Sequence, residues 1–199
     1  MKDFFKDYVG EFDKLTNDLP KIYGGISRSE AFAFCALCKM YDVDLIIDSG
    51  TGRGVSTEYF VRALDFIITI DMHQHYADSL EMSVKRLQLY NNLLQIVGNS
   101  NIVIPKLVGI IKHERCAVFF DGPKSKNAFE LFQNINVVFA GFHDAAPNKS
   151  DGLFFKEQGS FFNTLDDWFL EEYSWLNEGR RISGFPNGPG TAFIKKEEK

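Results

Sequence analysis

Two groups of residues in this chain have the types and spacing to do chemistry. The first is Asp48-Ser49-Gly50-Thr51-Gly52-Arg53-Gly54, an acidic residue followed by three glycines at alternate positions. Glycine lets a backbone turn sharply and approach a ligand that any Cβ would hold off. The second group follows two apolar runs: Asp121 after Ala117-Val118-Phe119-Phe120, and His143-Asp144 after Val137-Val138-Phe139-Ala140-Gly141-Phe142. Asp121 and Asp144 could hold a divalent cation that acidifies a bound hydroxyl, with His143 as a further ligand or as the base itself. The plainer alternatives are a hydrogen-bonded histidine at a strand end and, for Asp144, a helix cap.

The elements around the glycines decide what they can cradle. Leu45-Ile46-Ile47 is a short continuous apolar run, the pattern of a strand buried on both faces of a parallel sheet. Val55, Tyr59, Phe60 and Ala63 follow at helical spacing, so the turn feeds the start of a helix. Strand, glycine turn and helix together form a nucleotide cradle. A dinucleotide pattern starting at Gly50 would need glycine where the chain has Val55, and Asp48 would repel a pyrophosphate at the helix N-terminus. A cationic ligand suits an acidic residue better. S-adenosylmethionine carries an ammonium and a sulfonium and no phosphate, and here the chain resembles the class I S-adenosylmethionine-dependent methyltransferases. Their first motif, Asp/Glu-x-Gly-x-Gly-x-Gly, is met without a gap by residues 48–54. A tight strand-to-helix turn that binds nothing is the plain alternative.

The rest of the chain reads as alternating elements. A helix is expected over residues 4–19 from Phe4, Phe5, Tyr8, Val9, Phe12 and Leu15, covering the sheet or the site and ending at Pro20. Ser27-Arg28-Ser29-Glu30 has capping-box form and starts a helix to about Tyr41. Strands are expected at 66–71, 94–97, 117–121 and 137–142, with helices over 76–91, 102–111 and 126–134, Pro105 lying in a first turn. The polar segment 148–160 reads as a loop that could serve as a lid, 161–176 as an aromatic helix, and 180–185 with 191–194 as a closing hairpin. In an open α/β sheet the carboxyl ends of the strands line the ligand crevice, which gathers Asp48, Asp71, Asp121, His143 and Asp144 around one cleft.

With 199 residues, 20 of them Phe, the chain has material for a single domain, its first 26 residues forming a helical cover. A net charge of −5 argues against a nucleic-acid partner, and no apolar run approaches the roughly 20 residues of a membrane span. The N-terminus lacks the apolar core of a signal peptide, so a cytoplasmic protein is expected. Cys35, Cys38 and Cys116 are then reduced, and Cys35-x-x-Cys38, lying in an apolar helical run without a second ligand pair, reads as packing thiols. His73 and His75 read as solvated, and His113 as a helix-end residue.

Asp71 stands about twenty residues after the glycine turn at a strand's carboxyl end, where a carboxylate can accept both ribose hydroxyls. The segments 50–57, 121–124 and 143–147 resemble the small bacterial methyltransferases distantly related to the catechol and macrocin O-methyltransferases. The resemblance covers most of residues 27–194. It implies a Rossmann-like, doubly wound, mostly parallel seven-stranded α/β sheet with helices on both faces and an antiparallel last strand. It implies a donor site of Asp48, Gly50, Thr51, Gly52, Gly54, Ser56, Asp71, Met72, Asn99, Ser100 and Asp121, with His143, Asp144 and Asp121 catalytic. The expected reaction is methyl transfer from S-adenosylmethionine to a small-molecule acceptor, most simply a hydroxyl, in a protein compatible with a homo-oligomer. The metal-dependent relatives place two neighbouring oxygen ligands after the fifth strand, where this chain has His143-Asp144. Mg²⁺ prefers an all-oxygen shell, so Mg or Mn at Asp121 and Asp144 stays an open expectation. A non-catalytic binding protein of the same fold and an NAD-dependent oxidoreductase remain the alternatives.

Overall fold

The computed structural model describes residues 2–19, 26–74, 77–111, 115–122, 125–145, 150–162 and 190–196, and in it the buried apolar runs become strands. Six strands of four or five residues are β1 (Leu45–Ser49), β2 (Ile67–Asp71), β3 (Leu93–Val97), β4 (Cys116–Phe120), β5 (Phe139–Phe142) and β7 (Ala192–Lys195). A two-residue strand, β6 (Phe161–Phe162), lies at one edge. The order across the sheet is β3-β2-β1-β4-β5-β7-β6. β1 to β5 run parallel to one another, while β7 runs antiparallel to both β5 and β6. The chain thus begins mid-sheet, winds outward to β3, and returns to the other side of β1. That reversal between β1 and β4 lets the loops at their carboxyl ends diverge and opens a crevice there.

The helices are α1 (Lys2–Thr16), α2 (Arg28–Met40), α3 (Val55–Ala63), α4 (Ser79–Leu87), α5 (Ser100–Ile110), α6 (Ser125–Asn134) and α7 (Ser150–Glu157). Side chains alternate across a strand, so each strand feeds two cores. Ile46, Phe119, Phe139 and Phe193 face α2 and α3, where Phe34 packs within 5.4 Å of the rings of Phe60, Phe119 and Phe139. Leu45, Ile47, Val118, Phe120 and Phe142 face α5, α6 and α7, with Phe142 stacked on Phe155 at 4.5 Å. α2 is apolar on all sides, and residues 29–38 are buried without interruption because α1 covers the face turned away from the sheet. Cys35, Cys38 and Cys116 are buried free thiols within this packing.

Several expectations change. α1 packs as an outer layer over α2 and α3, with Phe5, Tyr8 and Phe12 on Phe32 and Phe12 stacked on Tyr59. α4 is shorter than 76–91. α5 starts at Ser100, because Asn99 accepts from the Asn101 N–H and caps it, so Pro105 lies in its second turn rather than its first. The expected lid loop 148–160 contains α7, whose Phe155 is drawn into the core by Phe142 and Phe129. Phe161 and Phe162 are not helical but pair with Phe193 and Ala192. The remainder of the aromatic stretch to 176, the strand expected at 180–185, and His75 and His113 lie outside the described residues. No described helix is long and apolar enough to cross a membrane.

Candidate functional site

Gly50, Gly52 and Gly54 all have positive φ, at 111°, 50° and 81°, but they serve different neighbours. A Cβ at Gly50 would lie 2.5 Å from the Gly122 nitrogen, so this glycine lets the loops after β1 and β4 touch. A Cβ at Gly54 would press on Leu87 and Arg86 of α4. At Gly52 a Cβ would meet nothing within 4 Å. Of the three glycines in the turn, only Gly52 has open space beside its left-handed backbone. Its N–H donates to Asp71 Oδ2 at 2.7 Å, and the His73 N–H donates to Asp71 Oδ1 at 2.5 Å. Each carboxylate oxygen of Asp71 keeps a second lone pair, so two vicinal hydroxyls can still be accepted there. Met72 beside it is exposed.

Asp48 lies beneath this turn and is fully enclosed. Its Oδ2 accepts from Thr57 Oγ1 at 2.5 Å and from Ser56 Oγ and Thr69 Oγ1 at 3.2 Å, while Thr51 and Thr69 share a hydrogen bond of 2.6 Å. Oδ1 is buried without a partner. Burial pushes the Asp48 carboxyl up to about 7 against the hydrogen bond from Thr57; the Asp121 charge adds to the rise, and Thr69 and Ser56 oppose it. Asp48, Thr51 and Ser56 therefore fasten β1 to α3 and β2 and stand behind the turn rather than at its surface. Asn99 is half-buried as the α5 cap, and Ser100 is buried beside it. His73 is not solvated: its Nδ1 is 3.1 Å from Ser79 Oγ and its Nε2 is buried without a hydrogen-bond partner.

At the ends of β4 and β5, Asp121, His143 and Asp144 come together, each offering one ligand atom within 4.8 Å of the others. His143 Nδ1 lies 2.8 Å from Asp121 Oδ1 and 3.7 Å from Asp144 Oδ1. Its Nε2 makes no hydrogen bond but lies 3.8 Å from Oε1 of Glu30, a carboxylate with no exposure at all. Burial would lower the imidazole pKa, but the charges of Asp121, Glu30 and Asp144 and the Asp121 hydrogen bond outweigh it and raise it to about 9. His143 is thus an imidazolium at neutral pH. A protonated Nδ1 donates to Asp121 at this distance and in that state cannot accept a proton. Exposure rises from 8% at His143 to 25% at Asp121 and 52% at Asp144, so the carboxylates, not the imidazole, face outward.

Glu30 was readable only as the closing residue of a capping box, which it is: Oε2 accepts from the Ser27 N–H at 2.8 Å. Its other oxygen accepts from Thr191 Oγ1 at 2.5 Å, across 161 residues of sequence, and no local spacing announces that contact. Thr57 and Thr69 were also missed; Thr69 stands opposite Asp48 in the β1–β2 register, and Thr57 lies in the first turn of α3.

No family model and no curated protein matches this chain. Solved structures do. The O-methyltransferase TomG from Streptomyces achromogenes, involved in tomaymycin synthesis and solved with S-adenosylmethionine, superposes with a TM-score of 0.56 at 16% identity, over 97% of this chain and 89% of that one. The chain carries the methyltransferase fold. An O-methyltransferase from Bacillus cereus in complex with S-adenosylhomocysteine gives 0.53 at 14% identity, covering 98% of this chain and 92% of its own. An rRNA methylase from Streptococcus thermophilus gives 0.53 at 11% identity, over 84% and 96%. The methyltransferase fold is therefore shared by proteins named for small-molecule chemistry and for RNA.

Proposed function

We propose that this protein is an S-adenosylmethionine-dependent methyltransferase acting on a small-molecule acceptor, most simply a hydroxyl. The observation that carries the reading is the pairing of Gly52 with Asp71. A glycine that must be left-handed and has open space beside it is joined by its N–H to the one carboxylate placed to take a ribose diol. In the reaction the acceptor oxygen forms a bond to the methyl carbon while the carbon–sulfur bond breaks. The electron pair stays on sulfur as a thioether, and the acceptor's proton leaves to a base. Alignment is the protein's main task in such a displacement.

The acceptor end is assigned to β4 and β5. Asp144 and Asp121 are the open carboxylates, and the His143 imidazolium holds Asp121 in place from below. A divalent cation at Asp121 and Asp144 would acidify an acceptor hydroxyl. Those two oxygens fit such an ion, whereas His143 Nδ1 carries a proton toward Asp121 and must lose it before it can ligate. A net charge of −5 and an acidic acceptor end both disfavour a polyphosphate acceptor, which supports a small molecule over RNA.

A thermal melt with S-adenosylmethionine, S-adenosylhomocysteine and NAD in parallel tests this. A ligand at 100 times its dissociation constant adds about 2.7 kcal/mol. Stabilisation by the two sulfur compounds and not by NAD is expected. Stabilisation by NAD alone would replace the reading with an oxidoreductase, and donor binding with no transfer to any acceptor would leave a binding protein.

A further inference from the structure

The turn that would receive the donor has no side-chain cap. Gly54 opens α3 in the left-handed region, and no side chain bonds to the helix start. Glycine takes up this backbone as readily as any other, so contacts from outside the turn must fix it in place. Here α4 imposes it, through Arg86. Its Nε donates to the Arg53 carbonyl at 3.0 Å, and its Cδ lies where a Cβ on Gly54 would come within 3.2 Å. The guanidinium is itself fixed, since Nη1 donates to Glu58 Oε2 at 2.6 Å and the two side chains are only 12% and 11% exposed. Glu58 is held in turn by the Tyr90 hydroxyl at 3.2 Å, which accepts from Arg62 Nε at 2.8 Å.

The geometry points to Arg86 as the positioning residue of the donor cradle: one guanidinium ties the Arg53 carbonyl, inside the glycine turn, to the buried Glu58 of α3. The assignment rests on the donor reading above. Arginine is required because Nε and Nη1 address two partners from one rigid plane, which an ammonium on a flexible stem does not reproduce. The neighbouring Arg53–Asp78 pair, 38% and 48% exposed, is screened by water and adds little. What the tether fixes is the orientation of the Gly52 N–H toward Asp71.

Amide hydrogen exchange on the ligand-free protein and calorimetry with S-adenosylhomocysteine test this together. Arg86→Lys keeps a charge opposite Glu58 but loses the fork, and Glu58→Gln keeps the shape but releases the guanidinium; either serves if the other fails to fold. In both, the Gly52 and Gly54 amides should exchange at least tenfold faster while β1 and β4 amides do not change. The dissociation constant for S-adenosylhomocysteine should rise about tenfold, and Asp78→Ala should leave it within about twofold. Turn amides that exchange as in the parent would overturn the tether. Faster exchange with unchanged affinity would overturn the positioning role and leave Arg86 a packing residue. A parent protein that binds no S-adenosylhomocysteine, with the exchange result intact, would instead overturn the donor reading and the positioning role with it.

Discussion

The two halves of the sheet's carboxyl edge hold their carboxylates by different means. On the β1–β2 side, Asp71 is held by two backbone N–H groups and Asp48 by three hydroxyls, all of them uncharged donors. On the β4–β5 side, Asp121 is held by a cation, and that cation is bracketed by Glu30 and Asp144. Uncharged donors give a fixed geometry whatever the protonation state of the neighbours. Mutual charges give an arrangement that weakens when His143 loses its charge. The first half therefore rests on hydrogen-bond geometry, and the second on the charge of His143.

That contrast can be broken by mutation. Asp144→Ala, which removes the exposed carboxylate able to take the acceptor's proton, should lower methyl transfer by roughly 10² to 10⁴, and His143→Ala, which releases Asp121, should lower it by less, both leaving S-adenosylhomocysteine affinity unchanged, as measured by single-turnover transfer and calorimetry. A full-rate double variant would place the chemistry elsewhere. Within the glycine turn, Gly50→Ala should destabilise by about 3 kcal/mol or more, because its Cβ would overlap the Gly122 backbone and φ is 111°. Gly52→Ala meets no atom and should cost about 1 to 2 kcal/mol for its left-handed backbone. Urea midpoints of the two variants would show whether the glycines are as unlike as their surroundings.

Protonation sharpens the comparison further, because the two halves titrate in different windows. The His143 pKa is raised in the folded protein, so its contribution is fully present below about pH 6.5 and is lost as pH rises through about 9. The loss should be on the order of 3 kcal/mol and should vanish in His143→Asn. Asp48 is also raised, so its protonated form contributes fully below about pH 4 and its contribution is lost as pH rises through about 7. Asp48→Asn should flatten that lower window and leave the alkaline one. Melting curves across both windows, in the parent and each variant, separate the two. The smallest effect concerns the thiols: burial pushes all three upward, Cys116 to about 12, so a thiol reagent should react only after denaturation.

Much of this was legible in the sequence for a physical reason. Continuous apolar runs such as Leu45-Ile46-Ile47 have one low-energy fate, a strand covered on both faces, and the glycines after it mark a turn wherever it packs. Capping residues are local too, yet Asn99 was not recognised as the cap that starts α5. What was not legible depended on long-range pairing. Nothing near Glu30 shows that Thr191 and His143 will reach it, and nothing near Arg86 shows that it will find the Arg53 carbonyl. The enclosure of Asp48 was hidden for the same reason. Its charge was visible, but the hydroxyls of Thr57 and Thr69 that enclose it come from another helix and another strand.

The central claim is that the open left-handed turn at Gly52, joined to Asp71, is a methyl-donor cradle. Calorimetric titration of the parent and of Gly52→Val with S-adenosylhomocysteine tests it most directly. The account predicts saturable binding to the parent and at least tenfold weaker binding to the folded variant, because valine fills the space beside the turn. Heats no larger than dilution for the parent, or equal affinity in both proteins, would contradict it.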